Sequence, residues 1–334
     1  MNSYRHPKIT GENYLKFADV ISLGCFHIRP SPLGSLVKRL DLSALVHQGR
    51  PSLNARLLHR VQANLEEFVA PQATFGYNCI VALGHLQKLR ILDLSLISQS
   101  VNLDDLFTHI GDLPNLHTLN FPRSSILARP QTRFLWPKRL ERFSLSGAIL
   151  DYFLHELPES LHELHISHCP FTRTASVIHL AAALSPQLTS LSITYPMPCL
   201  AFNALDNILN ICPNLTYLLT AVDYISSRFF DFDFGHPLKR LDLDSSGNPG
   251  VEHKVSPNDV FIAVAEDRLH ALRIVRVSRL LKWVAHEEQD VGDLIEMLEA
   301  KAREAAPIGN DNDTSTDVGV WEFGDARGNG QAQK

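Results

Sequence analysis

An apolar string, LQKLRILDLS from Leu86 to Ser95, recurs in altered form along almost the whole chain. Leu86, Leu89, Leu92 and Leu94 close on an LxL strand pattern. The successive cores are VKRLDL from Val37, LEEFVA from Leu65, LRILDL from Leu89, LHTLNF from Leu116, LERFSL from Leu140, LHELHI from Leu161, LTSLSI from Leu188, LTYLLT from Leu215, LKRLDL from Leu238 and LRIVRV from Leu272. One such string says little, because a buried helix edge could produce it. Repetition at a mean period of about 26 residues points to a stacked array.

Between the cores lie stretches such as NLDDLFTHIGDLPN and FNALDNILNICPN, whose apolar residues, as at Leu205, Ile208, Leu209 and Cys212, fall at helical spacing and stop at a Pro-Asn or similar pair. One strand and one helix per unit, at this period, define a leucine-rich repeat. The expected fold is an α/β solenoid with a curved parallel sheet on the concave side and helices or irregular segments on the convex side. Residues 1–34 read as an N-terminal flank with a short helix at Tyr14, Phe17, Val20 and Ile21, and residues 35–278 as about ten repeats. Residues 279–306 read as a capping helix with Val291, Leu294, Ile295 and Leu298 on one face, since an array leaves an apolar end to cover. Residues 307–334, polar, acidic and Gly-rich, read as mostly disordered, with Trp321 and Phe323 as the exceptions.

At 334 residues the chain exceeds what one globular core usually supports, which suits an elongated array. Its net charge of -5 supplies no global field to draw in nucleic acid or an anionic membrane, and neither is an expected partner. Five scattered cysteines without a CxxC pair, and no apolar leader, imply reduced thiols and a cytoplasmic or nuclear location.

In each LxxLxL the leucines face the core and the residues between them face outward. The residue inside each LxL gives the column Asp41, Val69, Asp93, Asn120, Ser144, His165, Ser192, Leu219, Asp242 and Arg276. Two positions earlier lies Arg39, Glu67, Ile91, Thr118, Arg142, Glu163, Ser190, Tyr217, Arg240 and Ile274. Equivalent positions in adjacent strands lie about 5 Å apart, so Ile91, Asp93, Thr118, Asn120, Arg142, Ser144, Glu163, His165, Ser190, Ser192, Tyr217, Leu219, Arg240 and Asp242 are the candidate partner-binding residues. Tyr217 and Leu219 stand out as apolar anchors; the plainer alternative is that they pack on each other or under a loop.

No chemistry is expected. His155, His162, His165, His168 and Cys169 form the densest titratable cluster, but a three-residue spacing on a strand sends side chains to opposite faces, so no metal is assigned. No nucleophile elbow, Walker loop or dinucleotide fingerprint is present, and no catalytic or cofactor-binding residue is expected. Lys38, Arg39, Arg139, Arg142, Lys239 and Arg240 recur near strand starts, interrupted by Glu66, Glu67, Glu141, Glu163, Asp242 and Asp244, which favours protein recognition or solvated pairing over phosphate tracking.

The strings LVKRLDLSALVHQGR, NLEEFVAPQATFGYNCIVAL, LPNLHTLNFPRSS, LHELHISHCP and NALDNILNICPNLTYL, with the closing VGVWEFG, resemble the fungal F-box and leucine-rich-repeat proteins over roughly residues 4–325. The resemblance implies a repeat domain that presents a protein substrate to a cullin-RING ubiquitin ligase, with an F-box docking on the Skp adaptor subunit. Residues 1–34 carry no Leu-Pro element of the kind that opens an F-box, and SYRHPKITGENYLKFADVI is similar to the segment that follows one. Skp is therefore an expected partner only if an F-box lies upstream. The alternative is a repeat scaffold outside the ubiquitin system.

Overall fold

Parallel strands cannot be joined by tight turns, so each LxxLxL strand must be followed by a crossover before the next can pair with it. A computed structural model shows this arrangement and describes residues 5–22, 32–46, 50–126, 134–149, 157–305 and 318–324. The chain divides into two units. One runs to Leu161 and includes Cys169–Phe171; the other holds His162–His168 and the chain from Thr172 onward.

In the first unit, β1 (Arg39–Asp41), β2 (Glu67–Val69), β3 (Ile91–Asp93), β4 (Thr118–Asn120) and β5 (Arg142–Leu145) lie side by side in chain order, every pair parallel. The crossovers carry α2 (Pro51–Val61), α3 (Tyr77–Leu83) and α4 (Leu103–Ile110), which pack on one another in sequence. Leu40, Leu42, Phe68, Leu92, Leu94, Leu119 and Phe121 are buried between the sheet and these helices. Each such side chain stabilises the fold by about 1.5–3 kcal/mol. The amide of α4's Asp104 is capped by Asn102 at 2.9 Å, and the helix opens with Asp104 and Asp105 at its positive end.

The N-terminal flank is tied in at both ends. The Arg5 carbonyl accepts the amides of Lys38 and Arg39, at 2.9 and 3.0 Å, and so meets the free edge of β1. α1 (Tyr14–Ser22) buries Tyr14, Ala18 and Ile21; the Tyr14 hydroxyl donates to Asn54 Oδ1 at 2.5 Å, and burial pushes the phenol up to about 12. Val20, expected on the apolar stripe, is exposed, because the stripe is centred on Tyr14, Ala18 and Ile21.

The second unit carries β6 (Glu163–Ile166), β7 (Ser190–Ile193), β8 (Tyr217–Ala221), β9 (Arg240–Asp244), β10 (Ile274–Ser278) and β11 (Gly319–Phe323), again parallel and in chain order. Its crossovers use α5 (Thr174–Leu184), the short α6 (Ile208–Ile211) and α7 (Pro257–Ala265). α7 lies inside the long interval after Leu238 and is introduced by a reciprocal capping box between Ser256 and Asp259.

The C-terminal region is more finely divided than the sequence suggests. Trp321 and Phe323, set apart from the rest of the tail, lie in β11, the last strand of the sheet, because Val320–Phe323 offers an apolar, aromatic run that the open edge of β10 can pair with. Residues 306–317 and 325–334 lie outside the described residues. The segment expected to be one capping helix is a 3-10 turn at Arg279–Leu281, α8 (Trp283–His286) and α9 (Glu288–Ala305). α9 packs its Val291, Leu294 and Leu298 face on α7 and β11, so the sheet ends on a strand while the helix extends the helical layer.

Candidate functional site

Strand register decides which side chains share the sheet face, and it matches the sequence columns. In the first unit Ile91 pairs with Thr118 and Thr118 with Arg142, while Asp93 pairs with Asn120 and Asn120 with Ser144. In the second, Glu163, Ser190, Tyr217, Arg240, Ile274 and Gly319 form one row, and His165, Ser192, Leu219, Asp242, Arg276 and Trp321 the next. Arg142 is exposed, and Ile91, Asp93, Thr118, Asn120, Ser144, Glu163, His165, Ser190, Tyr217, Leu219 and Arg240 are half-buried.

Ser192 and Asp242 differ from the outward-facing expectation: they are 9% and 3% exposed, because neighbouring face residues close over them. Arg240 holds Asp242 through two charge-assisted bonds, Nε to Oδ1 at 2.8 Å and Nη2 to Oδ2 at 2.7 Å. Tyr217 donates its hydroxyl to the same Oδ2 at 3.1 Å and lies beneath the Arg240 guanidinium, 5.0 Å from ring centre to Cζ. Burial raises the Tyr217 phenol well above its ordinary value, and the adjacent Asp242 carboxylate adds to the shift. Tyr217 is thus the wall of a polar triad, where the sequence suggested an apolar anchor.

His165 and Ser192 face each other across β6 and β7, with Nδ1 and Oγ hydrogen bonded at 2.7 Å. Burial, with His168 nearby, lowers His165 to about 4, so the ring is neutral near pH 7 and a weak base. The pair joins two strands rather than poising a nucleophile. His155 lies outside the described residues.

Asp93 is committed as well. Its Oδ1 accepts the Ser95 amide at 2.9 Å, and Asp41 accepts the Ser43 amide at 3.0 Å, so Asp-Leu-Ser fastens the turns that leave β1 and β3. The Asn before a strand leucine has a related duty: Asn64, Asn115 and Asn214 donate to the carbonyls of Ser35, Gln87 and Pro186, tying each repeat to the one before.

Trp321 and Phe323 are face residues that column reading stopped short of. Both are half-buried on β11; Trp321 is the register partner of Arg276, whose guanidinium also lies 5.3 Å from the Phe323 ring centre. The signal for them was the Val-Trp-Glu-Phe alternation, which has strand period. Among the thiols, Cys79 and Cys212 are buried and pushed up to about 11 and 12, leaving them protonated and unreactive, while Cys199 is exposed.

The chain is 36% identical over 305 residues to F-box protein YDR306C of Saccharomyces cerevisiae, spanning 89% of this chain and 63% of that one. It is 33% identical over 301 residues to Protein pof5 of Schizosaccharomyces pombe, spanning 89% of this chain and 84% of that protein. The chain belongs to the fungal F-box/leucine-rich-repeat family. It therefore spans less than two thirds of the budding-yeast relative's length. Among solved structures, this family member is similar to the TLR13–ssRNA13 complex (16% identity, TM-score 0.34, 73% of this chain and 32% of that one). A second similar structure is an internalin of Listeria monocytogenes (15% identity, TM-score 0.27, 82% and 90%). No family model matches the chain. Among the described residues of this F-box/leucine-rich-repeat chain, no helix is long and apolar enough to cross a membrane, and no cluster of His, Cys, Asp and Glu is arranged to hold a metal.

Proposed function

We propose that the chain is a non-enzymatic substrate-recognition part of an F-box-type ubiquitin ligase adaptor, binding a protein through the exposed face of its parallel sheet. The observation that carries this reading is the register. Unlike side chains, polar, charged and aromatic, stand side by side in continuous rows, as a protein-binding surface requires. In the second unit a partner protein would meet Leu219, Arg276, Trp321 and Phe323. Skp would be engaged through an F-box upstream of the residues described, and the setting would be the cytoplasm or nucleus.

The test is affinity purification of the full-length gene product from its own cells. Skp and cullin subunits should co-purify, together with proteins whose ubiquitin attachment falls when the gene is deleted. A Trp321→Ala and Arg276→Ala variant should lose those proteins and keep Skp. Absence of Skp and cullin from the full-length product would overturn the ligase assignment. Unchanged protein capture by the variant would move the binding surface off this face.

A further inference from the structure

The approaches to the strands of the first unit carry charges that the sheet face does not use. Glu66, Lys88, Arg90, Asn115, His117 and Arg139 line one open depression at the N-terminal ends of β2 to β5. The backbone there is already satisfied: the Arg90 amide donates to Glu66 O at 2.7 Å, that of His117 to Arg90 O and that of Glu141 to His117 O, both at 2.9 Å. What remains to interact is side-chain charge.

Glu66 is the one carboxylate in that lining, and it is taken. Lys38 Nζ donates to its Oε1 at 2.5 Å, and this bond holds the Glu66 carboxyl below its ordinary value. Lys88 and Arg90 add to that lowering from a greater distance, but their direct contacts are not with acids. Lys88 Nζ donates to Asn64 Oδ1 at 2.5 Å and Arg139 Nη1 to Asn115 Oδ1 at 3.3 Å, while Lys88, Arg90 and Arg139 make no ion pair with any described residue. Three cations beside one carboxylate that is already bonded to Lys38, on a chain whose net charge is -5, leave a local positive field that an anion would relieve.

Spacing narrows the ligand. Lys88 and Arg90 lead into β3 and Arg139 into β5, with Asn115 and His117 leading into β4 between them. Two strand spacings amount to about 10 Å, and a polyproline II segment advances about 3.1 Å per residue with about three residues per turn, so anions three residues apart stand about 9 Å apart on one side of it. We propose that this depression binds an acidic segment of a protein partner in the polyproline II conformation, one carboxylate at Lys88 and Arg90 and a second, three residues on, at Arg139. The proposal deepens, and rests on, the reading of the chain as a protein-interaction module.

The probe is a fluorescein-labelled peptide carrying Glu-Ser-Ala-Glu between uncharged Gly/Ser flanks, titrated by anisotropy with the full chain. Arg90→Ala with Arg139→Ala should weaken its dissociation constant by at least about tenfold, as expected for the loss of two charge-assisted contacts. Placing the two Glu side by side, or raising salt to about 0.5 M, should also weaken binding. Arg90→Lys with Arg139→Lys, which keeps the charge and loses the fork, should fall between. Unchanged circular dichroism and melting would exclude a folding defect. No binding by the wild-type chain up to about 1 mM would overturn the proposal, as would equal binding by the double Ala variant. Binding only when phosphoserine replaces Glu would overturn it in favour of a phosphorylated partner. If cellular partners are lost with Trp321→Ala and Arg276→Ala but retained with Arg90→Ala and Arg139→Ala, the sheet-face function stands and this site fails alone.

Discussion

Charged residues near the sheet are handled in opposite ways at two places, the face of the second unit and the strand approaches around β3 to β5 in the first. On the face of the second, Arg240, Asp242 and Tyr217 satisfy one another. At the strand approaches of the first, Lys88 and Arg139 donate to amide oxygens, and the one carboxylate in the depression, Glu66, is bonded to Lys38. Similar residue types thus do structural work in one place and stay available in the other. The difference follows from spacing: Arg and Asp two residues apart on one strand share a face and can close on each other, whereas Arg90 and Arg139, on alternate strands, have no acid between them. Paired charges should matter to stability, and open charges to binding.

The largest expected effect comes from His165, half-buried and bonded across strands to Ser192 in the second unit. Its folded pKa of about 4 lies below the ordinary 6.5, so the unfolded chain takes up a proton first as pH falls. The stability it contributes is fully present above pH 6.5 and drains away between 6.5 and about 4, by roughly 3 kcal/mol. Urea titrations across that window should show a shallower loss for His165→Gln than for the wild type. Identical slopes would mean that the ring protonates freely. Next comes Asp242→Ala, which leaves the Arg240 guanidinium and the Tyr217 hydroxyl without their acceptor; it should cost about 2 kcal/mol, somewhat less than a fully buried pair because Arg240 is partly exposed. A loss under about 0.5 kcal/mol would show that water replaces the carboxylate.

The leucine columns were legible because a strand has period two and a repeat fixes the register, so Ile91 falls beside Thr118 and Tyr217 beside Arg240 as the alignment of cores requires. What the face residues do with one another was not legible. Asp93 and Asp242 occupy the same column, yet one fastens its own turn through the Ser95 amide and the other is covered by Arg240 and Tyr217. The deciding difference is the residue two positions earlier, isoleucine before Asp93 and arginine before Asp242, with tyrosine on the adjacent strand in the second case. Trp321 and Phe323 stood out from the tail, but the strand they belong to was not legible, because the surrounding Gly, Asp and Asn composition signals disorder and a strand this short is stabilised only by the edge it joins.

Asp93→Ala provides the control within the same column. Its carboxylate accepts from one backbone amide on a half-exposed turn, so the loss should be about 1 kcal/mol, below that of Asp242→Ala. Equal losses would erase the distinction between a face acid that fastens its own turn and one that holds a cross-strand triad.

The smallest stability effect is expected where the binding effect should be large. Arg90→Ala with Arg139→Ala removes no ion pair among the described residues and only one hydrogen bond, 3.3 Å long, to Asn115. Relief of repulsion between like charges offsets the lost contacts, so the melting transition should shift by no more than about 0.5 kcal/mol in either direction. A clear destabilisation would show that these guanidinium groups brace the repeats, as Arg240 does, and that the two units treat their charges alike. A neutral or slightly stabilising change would fit groups held ready for an acidic partner, since residues kept for binding are retained without contributing to the fold that carries them.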